Sequence, residues 1–245
     1  VYSVAVSGMT RSGTVVVGIP AGVAQDESDN WNTASPSSAV VEWTIPTVTS
    51  GTIHVNGGAP GPTYDGTSWA TAYTELHTAL EAASPTGTAG VEIWVAAGTY
   101  MPGSRVPVES EEPRTATFLL KSNVAIYGGF SGNETTLSQR DWTSRVTVLS
   151  GDIDGNDVVD SDGVTTTFNG SNAYHVVMGV NVDSRTRLDG VTVTGGSANV
   201  DFSGLYAGGG VYNHRASPTF ANVTIAGNRA SYTGGGMYNY NGSSP

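Results

Sequence analysis

The stretch that decides the fold is GGGVYN at residues 208–213, which returns 26 residues later as GGGMYN at residues 234–239. In the same way, VTV at residues 191–193 is echoed by VTI at residues 223–225. Repeats of roughly 20 to 50 residues are typical of solenoids, because one unit cannot bury its apolar face alone whereas a stack can. The sequence therefore predicts stacked units over its C-terminal part.

Short runs of β-branched residues alternate with Gly, Asn and Asp from Val91 onward. Gly permits positive φ at tight corners, β-branched residues suit strands, and Asn side chains can bond to their equivalents on the next unit. We expect an all-β fold in which residues 47–245 form a right-handed parallel β-helix. Val211 and Met237 then lie on adjacent coils.

The apolar residues Trp69, Tyr73, Leu76 and Leu80 recur at intervals of three or four. This spacing predicts an amphipathic helix over about residues 69–83, with Thr67 or Ser68 as its N-cap. We expect the helix to cap the N-terminal open end of the apolar interior, where an unpaired edge would otherwise invite aggregation.

Three segments carry a family resemblance: DGTSWA at 65–70, IWVAAGTY at 93–100 and the GGGVYN repeats. They resemble bacterial surface β-helix proteins of the pectin-lyase-like superfamily, and the resemblance runs from about Ile53 to Pro245. It implies a β-helix in an extracellular or cell-surface bacterial protein.

Residues 1–46 are predicted to contain three strands, around Tyr2 to Val6, Thr14 to Ile19 and Ala39 to Ile45, with a long loop before the third. VYSVAVSGMTRSGTVVV at 1–17 resembles the C-terminal half of a bacterial Ig-like repeat of large surface proteins. We therefore expect a partial Ig-like β-sandwich segment, joined to the β-helix by a short linker rich in Thr and Ser.

Composition excludes several classes of function. Ten basic and 21 acidic residues give a net charge of −11, which repels nucleic acid. The chain has no cysteine, so thiolate metal sites and disulfides are excluded. No apolar run approaches the roughly 18 residues that cross a bilayer, and we expect no membrane insertion.

The acidic loop, Gly151 to Gly163, has the strongest metal-like pattern. Oxygen ligands stand at positions 1, 3, 5 and 9 of an EF-hand-like loop, at Asp152, Asp154, Asn156 and Asp160. Position 6 is Asp157 rather than Gly, and position 12 is Gly163 rather than a bidentate Glu. Two interpretations stay open, a Ca²⁺ site at these four residues and a solvated acidic turn.

A candidate catalytic set is a run of alternating charges that we expect on one face of a strand, at Asp183, Arg185, Arg187 and Asp189. Enzymes of the pectin-lyase-like superfamily place Asp and a basic residue on such a face, and Asp201 and His214 are candidates for neighbouring coils. An ordinary solvent-facing strand shows the same pattern, and no family active-site motif is matched. We therefore assign no catalytic residue.

The aromatic and imidazole residues have weaker patterns. No two of the histidines stand at a metal-binding spacing; they are His54, His77, His175 and His214. Five tyrosines are candidates either for a sugar-stacking platform or for covering Gly-rich corners: Tyr206, Tyr212, Tyr232, Tyr238 and Tyr240.

These observations predict a non-enzymatic extracellular structural or adhesive protein, a subunit of a bacterial cell-surface fibre or sheath. The half-sandwich and the uncapped last coil lead us to expect head-to-tail assembly with neighbouring copies through strand addition. Upstream residues of a longer chain are the competing source of the missing strands. The alternative function is a β-helix that binds or cleaves a polysaccharide, with a cell-surface glycan as partner.

Overall fold

The computed structural model describes residues 13–17, 20–23, 25, 27–34, 39–103, 111–200 and 206–245. The chain divides into two compact units, Val1–Pro46 and Thr47–Pro245. None of the helices within these described ranges is long and apolar enough to span a membrane.

The first unit contains an antiparallel pair, β1 (Gly13–Val17) and β2 (Ala39–Trp43). Both strands lie where the β-branched runs predict them. The strand predicted around Tyr2 to Val6 lies outside the described residues. In the connecting loop, Asn32 Oδ1 accepts a hydrogen bond from Val23 N at 2.9 Å and so ties the two sides of the loop together.

The second unit consists of short strands and very little helix. Its strands are β3 Gly51–Val55, β4 Val91–Ala96, β5 Gly98–Tyr100, β6 Phe118–Leu119, β7 Val124–Phe130, β8 Thr147–Ser150, β9 Val158–Val159, β10 Thr165–Thr167, β11 Val177–Val180, β12 Arg187–Asp189, β13 Thr192–Thr194, β14 Ser197–Ala198, β15 Val211–His214, β16 Thr219–Ala221, β17 Thr224–Ile225, β18 Arg229–Ala230 and β19 Met237–Tyr240. Its helices are α1 Leu76–Ala82 and single 3₁₀ turns at Trp69–Thr71, Pro113–Thr115 and Leu137–Gln139.

Most of these strands form parallel sheets, in the orders β16-β12-β7-β4-β3, β17-β13-β8-β5, β19-β15-β11-β6 and β14-β18. Only β9 and β10 pair as an antiparallel hairpin within the described part of this unit. From β11 onward the chain visits the four parallel sheets in a fixed order, through β12, β13 and β14, and repeats that order from β15. Each passage therefore adds one strand to each sheet.

The strand register follows the sequence repeat. Val211 pairs with Met237, and Val193 pairs with Ile225, in parallel ladders. The predicted proximity of the two repeat copies is confirmed. Asn213 Nδ2 donates to Asn239 Oδ1 at 2.9 Å, so the expected ladder of equivalent Asn side chains is also present.

Alternation along the strands separates an apolar interior from a polar exterior. Ile53, Ile93, Ile126 and Leu188 pair in one row across β3, β4, β7 and β12, and each is at most 1% exposed. Burying a side chain of this size contributes roughly 1.5 to 3 kcal/mol. Asp189 belongs to the opposite face of the same strands and so points away from the apolar row.

The predicted helix over about residues 69–83 is shorter and in two pieces. Thr71 N donates to Ser68 Oγ at 3.3 Å, which confirms Ser68 as the N-cap, but the turn ends at Thr71. Tyr73 then joins the edge of β3, since its N–H donates to His54 O and its carbonyl accepts from Asn56 N. The backbone leaves the helical path to make these strand-like bonds, and α1 begins afterwards, packed against β3, β4 and β6.

Candidate functional site

The acidic loop closes on its own backbone. Asp152 Oδ1 accepts from Asn156 N at 3.1 Å, and Asp152 Oδ2 accepts from Asp157 N at 2.9 Å. Asp160 sits in the β9–β10 hairpin, where its Oδ1 accepts from the N–H groups of Asp162 and Val164, both at 2.9 Å. Together with Asp154, whose Oδ2 accepts from Ser171 N, three of the four predicted calcium ligands therefore already accept backbone hydrogen bonds.

The same loop is bound to the chain that follows the hairpin. Asp154 Oδ2 accepts from Ser171 N at 2.8 Å, while Asp157 Oδ2 accepts from Asn172 Nδ2 at 2.7 Å. Gly170, which precedes Ser171, has a φ of +52°, and a Cβ there would clash with Asp154 Oδ2. This position therefore favours glycine.

No three His, Asp or Glu side chains of the described residues are grouped so that they hold a metal ion. Asp157 stands at position 6 of the EF-hand-like loop, where Gly is expected. Its carboxylate accepts hydrogen bonds from Asn169 N and Asn172 Nδ2 and so connects the loop to the chain after the hairpin. The calcium site at Asp152, Asp154, Asn156 and Asp160 stays a prediction.

The four alternating charges do not share one strand. Only Arg187 and Asp189 lie on β12. Asp183 and Arg185 lie in the preceding turn and form an exposed ion pair of 2.8 Å, so their expected placement on the strand is wrong. The turn forms because Thr186 N donates to the Asp183 carbonyl.

The two remaining candidates for that set do not join it. Asp201 lies outside the described residues. His214 lies on β15, in a different sheet from β12.

Asp189 is the centre of a buried charge cluster. The residue is 2% exposed, and its Oδ1 accepts from Arg140 Nη2 at 2.8 Å and from Asn222 Nδ2 at 2.9 Å. Its Oδ2 accepts from Nε and Nη2 of Arg187, at 2.9 and 2.7 Å. Burial raises the pKa of Asp189, but the hydrogen bonds from Asn222, Arg140 and Arg187 outweigh it, so this pKa lies below its ordinary value.

Arg140 is the member of the cluster that sequence reasoning missed. It lies in the β7–β8 segment, residues 131–146, and is 49 positions from Asp189. Its guanidinium also stacks over the rings of Tyr127, at 5.1 Å, and Trp142, at 4.5 Å. No local spacing pattern connects Arg140 to Asp189, because the contact exists only once β7 and β12 are neighbours.

Glu134 anchors the other end of the β7–β8 segment. Its Oε1 accepts from Ser131 N at 2.7 Å and from Arg145 Nη1 at 2.9 Å, while Oε2 accepts from the N–H groups of Gly132 and Asn133. Burial raises the pKa of Glu134, but the hydrogen bonds from Ser131 and Asn133 lower it more strongly, to about 2. A carboxyl with this pKa is ionised at neutral pH and does not donate a proton.

Tyr212, Tyr238 and Tyr240 lie against one another and against two histidines, whereas Tyr206 and Tyr232 meet edge to face. His175 stacks on Tyr212 with ring centroids 4.8 Å apart, and His214 stacks on Tyr240 at 5.5 Å. Burial lowers the pKa of His175 to about 4. Because these ring faces cover one another, the stacked tyrosines fit the role of covering Gly-rich corners better than that of a sugar-stacking platform.

No family model, no curated protein and no solved structure matches the chain.

Proposed function

We propose that the second unit is a right-handed parallel β-helix serving as a structural or adhesive part of a bacterial cell-surface assembly. The observation that carries this proposal is the fixed order in which the chain visits its parallel sheets, with equivalent residues in register. A stack of this kind grows by adding strands to existing edges, which suits a rod or a fibre.

The chemistry of the charged residues supports a non-enzymatic role. The oxygens of Asp189 and Glu134 are occupied by hydrogen bonds from the protein itself. Both pKa values are lowered, whereas a general acid needs a pKa raised toward the working pH. These carboxylates hold the fold together.

An extracellular position fits the composition. The chain has no cysteine, 33 glycines and a net charge of −11. Both units also resemble bacterial surface proteins, and this resemblance supports an extracellular position.

The terminal strands of the parallel sheets form the edge at which we expect a partner to bind. Among the described residues, β16, β17 and β19 each pair with one strand only. Val177, Val211 and Met237 form one inward row, and Met237 is the least buried of the three. We propose that a neighbouring copy adds strands to this edge in a head-to-tail manner.

Sedimentation of the purified chain over a range of concentrations tests the assembly. We expect the wild type to associate into species that grow with concentration, and Met237→Asp to weaken association at least tenfold because a charge then lies in the joining row. Val158→Asp is the control, because Val158 is 52% exposed and lies in the β9–β10 hairpin rather than on a terminal strand. A wild type that stays monodisperse and monomeric contradicts head-to-tail assembly.

A further inference from the structure

A cleft of about 330 Å³ opens on the outer side of β13 and β17. Its floor is formed by Gly190 to Thr192 and by Thr224. One wall belongs to the β7–β8 segment, through Trp142, and the opposite wall belongs to the β9–β10 hairpin, through Asp162. The volume lies near the lower end of the range for small-molecule sites, ~300 to 1,000 Å³.

Both walls of the cleft are fixed by hydrogen bonds or ion pairs of residues that lie outside the cleft. Arg140, which stacks on Trp142, is bound to Asp189 at 2.8 Å. On the other side, Thr165 N donates to Thr194 Oγ1 at 2.9 Å and fixes the hairpin to β13. The cleft is therefore pre-formed, which reduces the entropy that a ligand loses on binding.

Trp142 offers the cleft an aromatic surface. The residue is 38% exposed although it is one of the largest apolar side chains of the protein. The guanidinium of Arg140 lies 4.5 Å from the ring centroid and covers one face. The remaining ring surface faces the cleft, where the C–H face of a sugar ring can pack against it.

Polar groups of the cleft have unused hydrogen-bonding capacity. In the part of the chain that the structure describes, neither the Asp162 carboxylate nor the Trp142 Nε1–H has a hydrogen-bond partner. Asn222 donates its Nδ2 to Asp189, which leaves its Oδ1 as an acceptor. A carboxylate and an amide oxygen beside an indole suit a ligand with several hydroxyl donors and one apolar face.

We propose that this cleft binds a neutral pyranose sugar, which stacks on Trp142 and donates hydroxyl hydrogen bonds to Asp162 and Asn222. Uronic acids are disfavoured, because no cation among the described residues pairs with the Asp162 carboxylate and the chain carries a net charge of −11. This inference is independent of the assembly proposal: a monomer can bind the sugar, and a fibre can form without it.

Saturation-transfer NMR tests the site with four neutral probes, the methyl glycosides of glucose, galactose, mannose and N-acetylglucosamine, and with methyl glucuronide as the acidic comparison. We expect transfer from the protein to at least one neutral glycoside and at least tenfold weaker binding of the glucuronide. Trp142→Ala is expected to weaken binding at least tenfold. Tyr232→Ala, at an exposed aromatic outside the cleft, is expected to bind like the wild type.

Asp162→Asn keeps the test decisive if Trp142→Ala does not fold, because Asp162 is exposed and its carboxylate makes no hydrogen bond to another described residue. We expect this variant to weaken binding of the neutral sugar and to reduce the discrimination against glucuronide. Absence of transfer to all four neutral probes overturns the proposal. Binding that is unchanged in Asp162→Asn also overturns it.

Discussion

The β7–β8 segment and the acidic loop both decorate the outside of the parallel sheets, and they balance their negative charges differently. At the β7–β8 segment, Glu134 pairs with Arg145 within the segment, and Arg140 pairs with Asp189 on the neighbouring strand β12, where Asp189 also pairs with Arg187. In the acidic loop, the carboxylates accept hydrogen bonds mainly from backbone N–H groups. Neutralising a carboxylate therefore leaves a buried arginine without its ionic partner at the β7–β8 segment. In the acidic loop it leaves only an uncharged backbone N–H without an acceptor.

The largest effect is expected for Asp189→Asn. The Arg140 side chain is only 8% exposed, and it loses its ionic partner in this variant. Breaking a buried pair from one side costs about 3 to 5 kcal/mol. Urea unfolding measures the change in free energy.

Asp183→Asn is the matched control, since Asp183 pairs with Arg185 in an exposed ion pair. Exposed pairs contribute roughly 0 to 1 kcal/mol. Equal losses in the two variants would show that burial does not distinguish the clusters.

Acid is expected to weaken the β7–β8 segment next. The pKa of Glu134 is about 2 in the folded protein, against an ordinary value of 4.5. A lowered pKa contributes stability above the ordinary value, and that stability is lost as the pH falls from about 5 toward 2. Relative to Glu134→Gln, the wild type should lose about 2 to 3 kcal/mol more over this range.

Unfolding curves of both proteins at several pH values measure this difference. Parallel pH profiles would contradict the role assigned to the hydrogen bonds around Glu134.

A smaller effect is expected for Asp152→Asn in the acidic loop. The two oxygens of Asp152 accept from Asn156 N and Asp157 N. An amide keeps only one acceptor oxygen, so one N–H loses its partner at a cost of about 1 kcal/mol. Asp162→Asn is the control in the same loop, and its effect should lie within about 0.5 kcal/mol. A broken buried ion pair costs about 3 kcal/mol or more. A loss of that size in Asp152→Asn would contradict the difference we draw between the acidic loop and the Asp189 cluster.

Calcium is expected to have the smallest effect. Binding at Asp152, Asp154, Asn156 and Asp160 raises the melting temperature by mass action. Because oxygens of Asp152, Asp154 and Asp160 already accept backbone hydrogen bonds, we expect a rise of about 2 °C, or less than ~1 kcal/mol. If neither millimolar calcium nor a chelator changes the melting temperature, the loop is a solvated acidic turn.

The two regions also differ in how far sequence reasoning reaches. The acidic loop is recognisable because Asp and Asn alternate within a few positions, yet the spacing alone did not show that Asp157 would cross to Asn172. The Asp189 cluster is not recognisable from spacing, because of the four alternating charges only Arg187 joins Asp189, while Asp183 and Arg185 lie in a turn. The other charged partner of Asp189, Arg140, comes from another segment.

The predicted helix over residues 69–83 likewise shows which features depend on local spacing and which depend on long-range contacts. The pattern predicted Thr67 or Ser68 as the N-cap, and Ser68 caps the first turn; Leu76 and Leu80 are buried as expected. They did not show that Tyr73 would bond to His54 and Asn56 at the edge of β3. Long-range backbone pairing overrode a weak local preference.

The sequence by itself determined the repeat of GGGVYN as GGGMYN, and with it the pairing of Val211 with Met237 and of Asn213 with Asn239. The two copies of this motif have the same length, so aligning them residue by residue predicts the register of β15 and β19. Only the tertiary structure decided the surroundings of Asp189 and the walls of the cleft at Trp142 and Asp162. The side chains that meet there come from segments of different length between the strands, and their proximity depends on which strands become neighbours.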